Sequence, residues 1–173
     1  MKNIILVGFM GSGKTAVGKA LARLLKRGFV DLDEMIEKRE GMSIADIFAK
    51  KGEPYFRKIE KEVVRKASLF TGCIIATGGG AVIDKENVVN LKSNGVMFYL
   101  EASPDKILER TKGHTHRPLL NVSDPKEKIS ELLAKRAEFY AQADHRIDTN
   151  KMSVEAVAKK IIFLLREDGA ISR

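Results

Sequence analysis

The sequence predicts an α/β protein, a mainly parallel sheet with helices on both faces, and three observations carry that prediction. Short apolar runs alternate along the chain with segments of helical period. A glycine-rich turn joins the first apolar run directly to the first helical segment. No Gly/Ser-rich linker, internal repeat or low-complexity stretch interrupts the alternation, and 173 residues suffice for one domain with its own core.

Asn3 to Val7 reads as a buried first strand, because parallel strands covered on both faces lose the polar alternation of half-exposed ones. Phe29-Val30, Cys73 to Ala76, Val96 to Leu100 and Arg146 to Asp148 read as the later strands. Helix ends are marked locally. Ser103-Pro104 reads as cap and first helical residue, and Ser43-Ile44-Ala45-Asp46 resembles a capping box. Gly95 reads as the stop just past a helix that holds Val88, Val89 and Leu91. The last helix places Val154, Val157, Ala158, Ile161, Ile162 and Leu165 on one core-facing stripe. Thr111 to Val122 is different in kind: polar, aperiodic, and holding Gly113, His114, His116 and Pro118, it is expected to be a mobile loop over a site.

Composition excludes several function classes. Cys73 is the only cysteine, so neither an intrachain disulfide nor a cysteine zinc cluster can form. No apolar run approaches the roughly 20 residues that span a bilayer, and the apolar opening Met1 to Val7 stops at Gly8 with no small-residue cleavage site. A cytoplasmic location and no membrane partner are expected. The net charge of +8 raises the prospect of a nucleic acid. Acids are interspersed among the basic residues, however, and no basic stripe interleaved with aromatics occurs. The expectation is a basic surface that serves anionic small substrates.

Gly8-Phe9-Met10-Gly11-Ser12-Gly13-Lys14-Thr15 fits G-x-x-x-x-G-K-[ST] between a strand and a helix that begins at Ala16, the context that a phosphate-binding loop requires. Glycines let successive N–H groups point inward at phosphate oxygens, and the helix that follows sets its positive end against the same charge. Lys14 then bridges the β- and γ-phosphates, and Thr15 offers its hydroxyl to Mg²⁺. The motif names the nucleotide, not the reaction. A GTPase base-recognition string N-K-x-D is not matched, since Asn150-Lys151-Met152-Ser153 lacks the aspartate.

Other strings bear on the acceptor. Asp31-Leu32-Asp33 follows the second strand, where one carboxylate can lie near the metal and the other reach a substrate hydroxyl; complementing a helix dipole is the plainer reading. Arg57 and Glu60 share a helix face at i, i+3, either as a surface ion pair or as a fork for a substrate carboxylate, oriented by Glu60 and walled by Phe48 and Phe56. Thr77-Gly78-Gly79-Gly80 leaves bare backbone after a buried strand, suited to close approach of a ligand or to a merely flexible turn. Arg136 falls on the apolar stripe of Ile129, Leu132, Leu133 and Tyr140, so it either snorkels to water or points into a cleft toward an anion. Arg117, beside Pro118, can carry positive charge over a transferring phosphoryl group if its loop closes.

Taken in order, the phosphate loop, Phe29-Val30-Asp31-Leu32-Asp33, Ser43 to Phe48, Gly52 to Arg57, Thr77 to Gly80, Arg117-Pro118-Leu119-Leu120 and Arg136 resemble the motif set of the shikimate kinases, from Gly8 to about Lys151. The resemblance implies a nucleoside-monophosphate-kinase-like fold of three layers, α/β/α, with a five-stranded parallel sheet in the order 2-3-1-4-5, and a lid at about residues 111–122. It implies ATP as co-substrate, bound by Gly11, Ser12, Gly13, Lys14, Thr15 and Ala16, with Mg²⁺ held by Thr15 and Asp31 directly or through water. Arg117 would contact ATP from the lid, and Lys151 would lie near the adenine, where the family often has arginine. Shikimate would be held by Asp33, Arg57, Gly79 and Arg136, with Phe48, Phe56, Glu60, Gly78 and Gly80 around them, and Lys14, Asp33 and Arg117 would act in catalysis. A monomer is the family's usual state. The rivals are another small-metabolite kinase, such as one for gluconate, and a regulatory module that binds ATP without turnover.

Overall fold

A computed structural model describes residues 1–111 and 123–170. Five strands form one sheet in the order β2-β3-β1-β4-β5, every pairing parallel. The strands are β1 (Asn3–Val7), β2 (Phe29–Asp31), β3 (Ile74–Ala76), β4 (Gly95–Glu101) and β5 (His145–Asp148). Between and after them lie α1 (Lys14–Leu25), α2 (Leu32–Glu40), α3 (Ile44–Ser68), α4 (Lys85–Ser93), α5 (Pro104–Thr111), α6 (Pro125–Tyr140) and α7 (Val154–Glu167), with a 3-10 turn at Ala81–Ile83. The order that the family resemblance implies is the order observed.

The strand pleat divides the core. On β1, Ile5 and Val7 face a layer built from α2, α3 and α4, while Ile4 and Leu6 face α1 and α7. All five β1 residues are buried, which is why this apolar run takes the centre of the sheet. On β5, an edge strand, only Ile147 is buried. A smaller cluster of Phe9, Ala102, Ile107 and Ile129 lies under α5 and α6 and seats both beside the phosphate loop.

Two glycines shape the junctions of these elements. Gly95 stands just past α4, as the sequence suggests; Asn94 closes the helix, and Gly95 is also the first residue of β4, paired with Asn3. A Cβ on Gly95 would meet the Leu91 carbonyl and Ile5 Cγ1 at 2.7 Å, so the glycine serves close packing. Gly52 breaks α3 with φ 79° and ψ 168°, a conformation essentially restricted to glycine. The break lets Pro54 follow without facing an unbroken helix.

The carboxyl ends of β1, β2 and β3 open respectively into the phosphate loop, Asp31 and the Thr77 glycine run. Parallel α/β sheets bind ligands beyond such ends. Among the described residues, no helix is long and apolar enough to cross a membrane.

Candidate active site

A cavity of about 1080 Å³ lies over these strand ends. It is lined by the loop from Met10 to Ala16, by Asp31 and Asp33, and by Arg57, Gly79 and Arg136, and Gly79 and Arg136 lie against the loop at Met10 and Phe9.

The loop is shaped by Gly8, Gly11 and Gly13, at φ of 148°, 77° and 99°. α1 starts at Lys14 with Gly13 as its cap, no side-chain capping bond and no acid in its first turn. Each of α2, α3, α4, α6 and α7, by contrast, has an Asp or Ser side chain accepting a first-turn N–H. An uncapped, acid-free N-terminus at the bottom of a cavity leaves N–H groups and the helix dipole for an anion. Lys14 Nζ donates to the carbonyls of Gly8 at 2.7 Å and Phe9 at 2.9 Å, which curls the side chain over the loop.

Asp31 ends β2 and caps α2. Its Oδ1 accepts the Asp33 N–H at 3.0 Å, and its Oδ2 accepts the Thr15 hydroxyl at 2.9 Å. One carboxylate thus caps α2 and ties it to the hydroxyl that follows Lys14. Thr15 and Asp31 offer adjacent hard oxygen donors, which suit Mg²⁺; among the described residues no cluster of three or more His, Cys, Asp or Glu could hold a metal ion. Mg²⁺ carried on nucleotide phosphates asks the protein for only one or two oxygens, so the pair fits.

Asp33 is half-buried on the cavity wall, and its pKa is raised from 3.8 to about 6. Burial is the main cause, the charge of Asp31 adds to it, and Lys14 opposes both. Glu60 is buried, and its Oε2 takes a bond of 2.8 Å from Arg57 Nη1. Burial pushes the Glu60 carboxyl up against the opposing pull of Arg57. For Arg57, burial favours the neutral form, but its bonds to Glu60 and Glu53 prevail and hold it above the ordinary guanidinium value. The Phe48 and Phe56 rings pack 4.6 Å apart, with Arg57 lying 5.2 Å over Phe56. These bonds use three of the five N–H groups of Arg57, leaving two for a ligand.

Arg136 projects from α6 across the Phe9 ring, 5.5 Å from its centroid, and reaches the Gly79 carbonyl at 3.4 Å. Of the two readings open for it, the structure gives the cleft: Arg136 lines the cavity. Phe56, Glu60, Gly78 and Gly80 stand behind the lining and support it; a Cβ on Gly80 would fall 2.8 Å from Arg57 Nη1. Lys151 is exposed in the turn after β5 and does not line the cavity, although Thr149 and Met152 beside it do. Arg117 and most of the expected lid lie outside the described residues; Thr111 is the last residue of α5.

The sequence reading missed Arg110. It lines the cavity and donates to the Ser12 carbonyl and the Thr149 hydroxyl, both at 3.2 Å, and to the Thr149 carbonyl at 3.0 Å, tying the phosphate loop to the segment after β5. A signal existed: Arg110 stands at i+3 from the buried Ile107, the same kind of charge beside an apolar stripe that drew attention to Arg136.

An anion-ready loop and helix, set at the strand ends of a parallel sheet and facing acids and arginines across one cleft, define a P-loop phosphotransferase with an α/β/α fold. Comparison with known proteins narrows the class. The family model described as Shikimate kinase matches residues 10–166. The shikimate kinase of Thermodesulfovibrio yellowstonii is 52% identical over 162 residues, which are 94% of this chain and 94% of that protein. That of Caldanaerobacter subterraneus subsp. tengcongensis is 50% identical over 162 residues, 94% of this chain and 95% of that protein. The solved shikimate kinase from Acinetobacter baumannii, in complex with shikimate, superposes with a TM-score of 0.93 at 40% identity and covers 97% of this chain and 94% of its own. The chain belongs to the shikimate kinase family.

Proposed function

We propose that the protein transfers the γ-phosphoryl group of ATP to the 3-hydroxyl of shikimate, yielding shikimate 3-phosphate and ADP on the route to chorismate and the aromatic amino acids. One observation carries this reading: a single cavity is lined by the phosphate loop, by Asp33 and by the two arginines Arg57 and Arg136. A carboxylate on the acceptor meets the two guanidiniums, so its ring hydroxyl is directed back toward Asp33 and the phosphates.

Asp33 orients that hydroxyl and takes its proton as the oxygen attacks phosphorus. With a pKa of about 6 it is ionised above neutrality and still more basic than an ordinary aspartate. Lys14, released from the loop carbonyls, balances charge on the β- and γ-phosphates. Thr15 and Asp31 would hold Mg²⁺, which when bound would neutralise phosphate charge. Arg110, with Met152, Val154 and Val157, forms the end of the cleft beyond the loop and takes the nucleoside. The setting is a cytoplasmic monomer with no nucleic-acid partner.

A coupled assay of ADP release across shikimate, gluconate and nucleoside monophosphates tests the reading. Turnover confined to shikimate and dependent on Mg²⁺ is expected. A preference for gluconate or a nucleotide acceptor would overturn it.

A further inference from the structure

Tyr140 is the last residue of α6, 1% exposed, with its ring stacked on Tyr99 of β4 at 4.7 Å and 5°. A buried phenol needs a partner for its hydroxyl. The partner here is neither its own helix nor the adjacent strand but the carbonyl of Gly79 in the acceptor site, at 2.6 Å. Arg136, one helical turn earlier, reaches the same oxygen only at 3.4 Å, the outer limit of a hydrogen bond. One carbonyl is thus held firmly by a neutral donor and loosely by a cationic one.

We propose that Tyr140 is a positioning residue for the acceptor. By holding the Gly79 carbonyl, its hydroxyl fixes the Gly79–Gly80 peptide and leaves the Arg136 guanidinium available to the acceptor's carboxylate. The inference rests on the reading that an acidic acceptor binds at the Arg136 end of the cleft. The peptide is planar, so fixing its C=O also fixes the direction of the Gly80 N–H, beside Arg57. Without the phenol, a half-buried carbonyl would lack its short bond, and Arg136 would be the donor drawn in to satisfy it. The acceptor carboxylate would then compete with backbone for the same guanidinium. Burial raises the Tyr140 pKa against the opposing effect of Arg136, so the hydroxyl remains a donor through neutral and mildly alkaline pH.

Tyr140→Phe keeps the ring and its stack on Tyr99 and removes only the hydroxyl. The shikimate KM is expected to rise roughly threefold to tenfold, the loss of one ordinary hydrogen bond, while the ATP KM stays within about twofold. In an Arg136→Leu background, itself raised roughly tenfold to a hundredfold in shikimate KM, the same substitution should add little, because no guanidinium is left to misplace. An unchanged shikimate KM in the single variant overturns the inference, as does an equal effect in both backgrounds or parallel rises in both KM values with a lowered melting temperature. A parent chain without activity on shikimate overturns the functional reading and this inference together. An active parent with an indifferent Tyr140→Phe overturns the inference alone.

Discussion

The two ends of the cleft are built by opposite means. The nucleotide end is one continuous stretch, Gly8 to Ala16, in which backbone N–H groups and a helix dipole face the ligand and the glycines exist to aim them. The acceptor end is assembled from side chains on α2, α3 and α6 and from the loop after β3, and each charge is already held by a neighbour: Arg57 by Glu53 and Glu60, Arg136 by the Gly79 carbonyl. A backbone site is generic and strong. A side-chain site can be specific, because each group is placed by a different element and answers to a different part of the acceptor. The comparison predicts that single substitutions at the nucleotide end abolish chemistry, whereas those at the acceptor end redistribute it between binding, rate and stability.

The largest effect is expected for Lys14→Ala, which removes the one flexible cation of the loop. A fall of about a thousandfold in kcat/KM follows from losing a charge that acts chiefly in the transition state. The fold should survive with a lowered melting temperature, since the Gly8 and Phe9 carbonyls lose a donor worth about 1 kcal/mol each. Near-normal turnover by this variant, measured by ADP release, would show that the loop does not bind the transferring phosphates.

Asp33→Asn comes next and should separate rate from stability. Loss of the carboxylate should lower kcat by about a hundredfold or more, with a small change in the ATP KM. Stability should move the other way. The native state holds a proton on Asp33 up to about pH 6, whereas an unfolded aspartate releases it near 3.8, so the parent loses stability as pH rises across that window. Each pH unit of the gap is worth about 1.4 kcal/mol, so the asparagine variant should gain up to about 3 kcal/mol over the parent above pH 6. The gain should shrink toward zero near pH 4. Urea melts of both proteins at pH 4, 6 and 8 check this, and a difference that is flat with pH would mean that Asp33 is an ordinary exposed acid. Activity of the parent should fall as pH drops through about 6, as Asp33 loses its capacity to accept a proton.

What could be read from the sequence follows the same division. The sheet was legible because its strands are short, mostly apolar runs separated by helical segments, and the phosphate loop because its eight positions are contiguous. Family resemblance supplied the strand order, which periodicity alone does not contain. At the acceptor end, Arg136 was visible as a charge on an apolar stripe, but its meeting with Gly79, 57 residues away in sequence, depends on how α6 packs. Tyr140 passed for core, since a phenol on an apolar face gives no sign of which carbonyl its hydroxyl will find. Gly95 was legible as the residue just past α4, but only the neighbouring strand reveals that its missing side chain is space for Ile5.

The smallest effect concerns the far edge of the nucleotide end, where resemblance and geometry point to different residues. Lys151 occupies the position at which the family often carries an arginine, yet here it is exposed and off the cavity lining. Arg110 lines the cavity and bonds to both Ser12 and Thr149, so it touches the two segments between which a nucleoside must lie. Arg110→Ala should raise the ATP KM roughly tenfold, because it removes charge-assisted bonds that hold the loop as well as a wall of the cleft. Lys151→Ala should change the ATP KM by less than about twofold, the ordinary result of trimming an exposed lysine in high dielectric. Neither substitution should alter the shikimate KM appreciably, since Arg110 bonds to Ser12 and Thr149 and to neither Arg57 nor Arg136, and Lys151 is off the cavity lining. Initial-rate measurements with each substrate varied separately check all three expectations. If Lys151→Ala weakens ATP as much as Arg110→Ala does, the turn after β5 folds over the bound nucleoside, and Lys151 joins Arg110 as a side chain brought to the nucleotide from a distance.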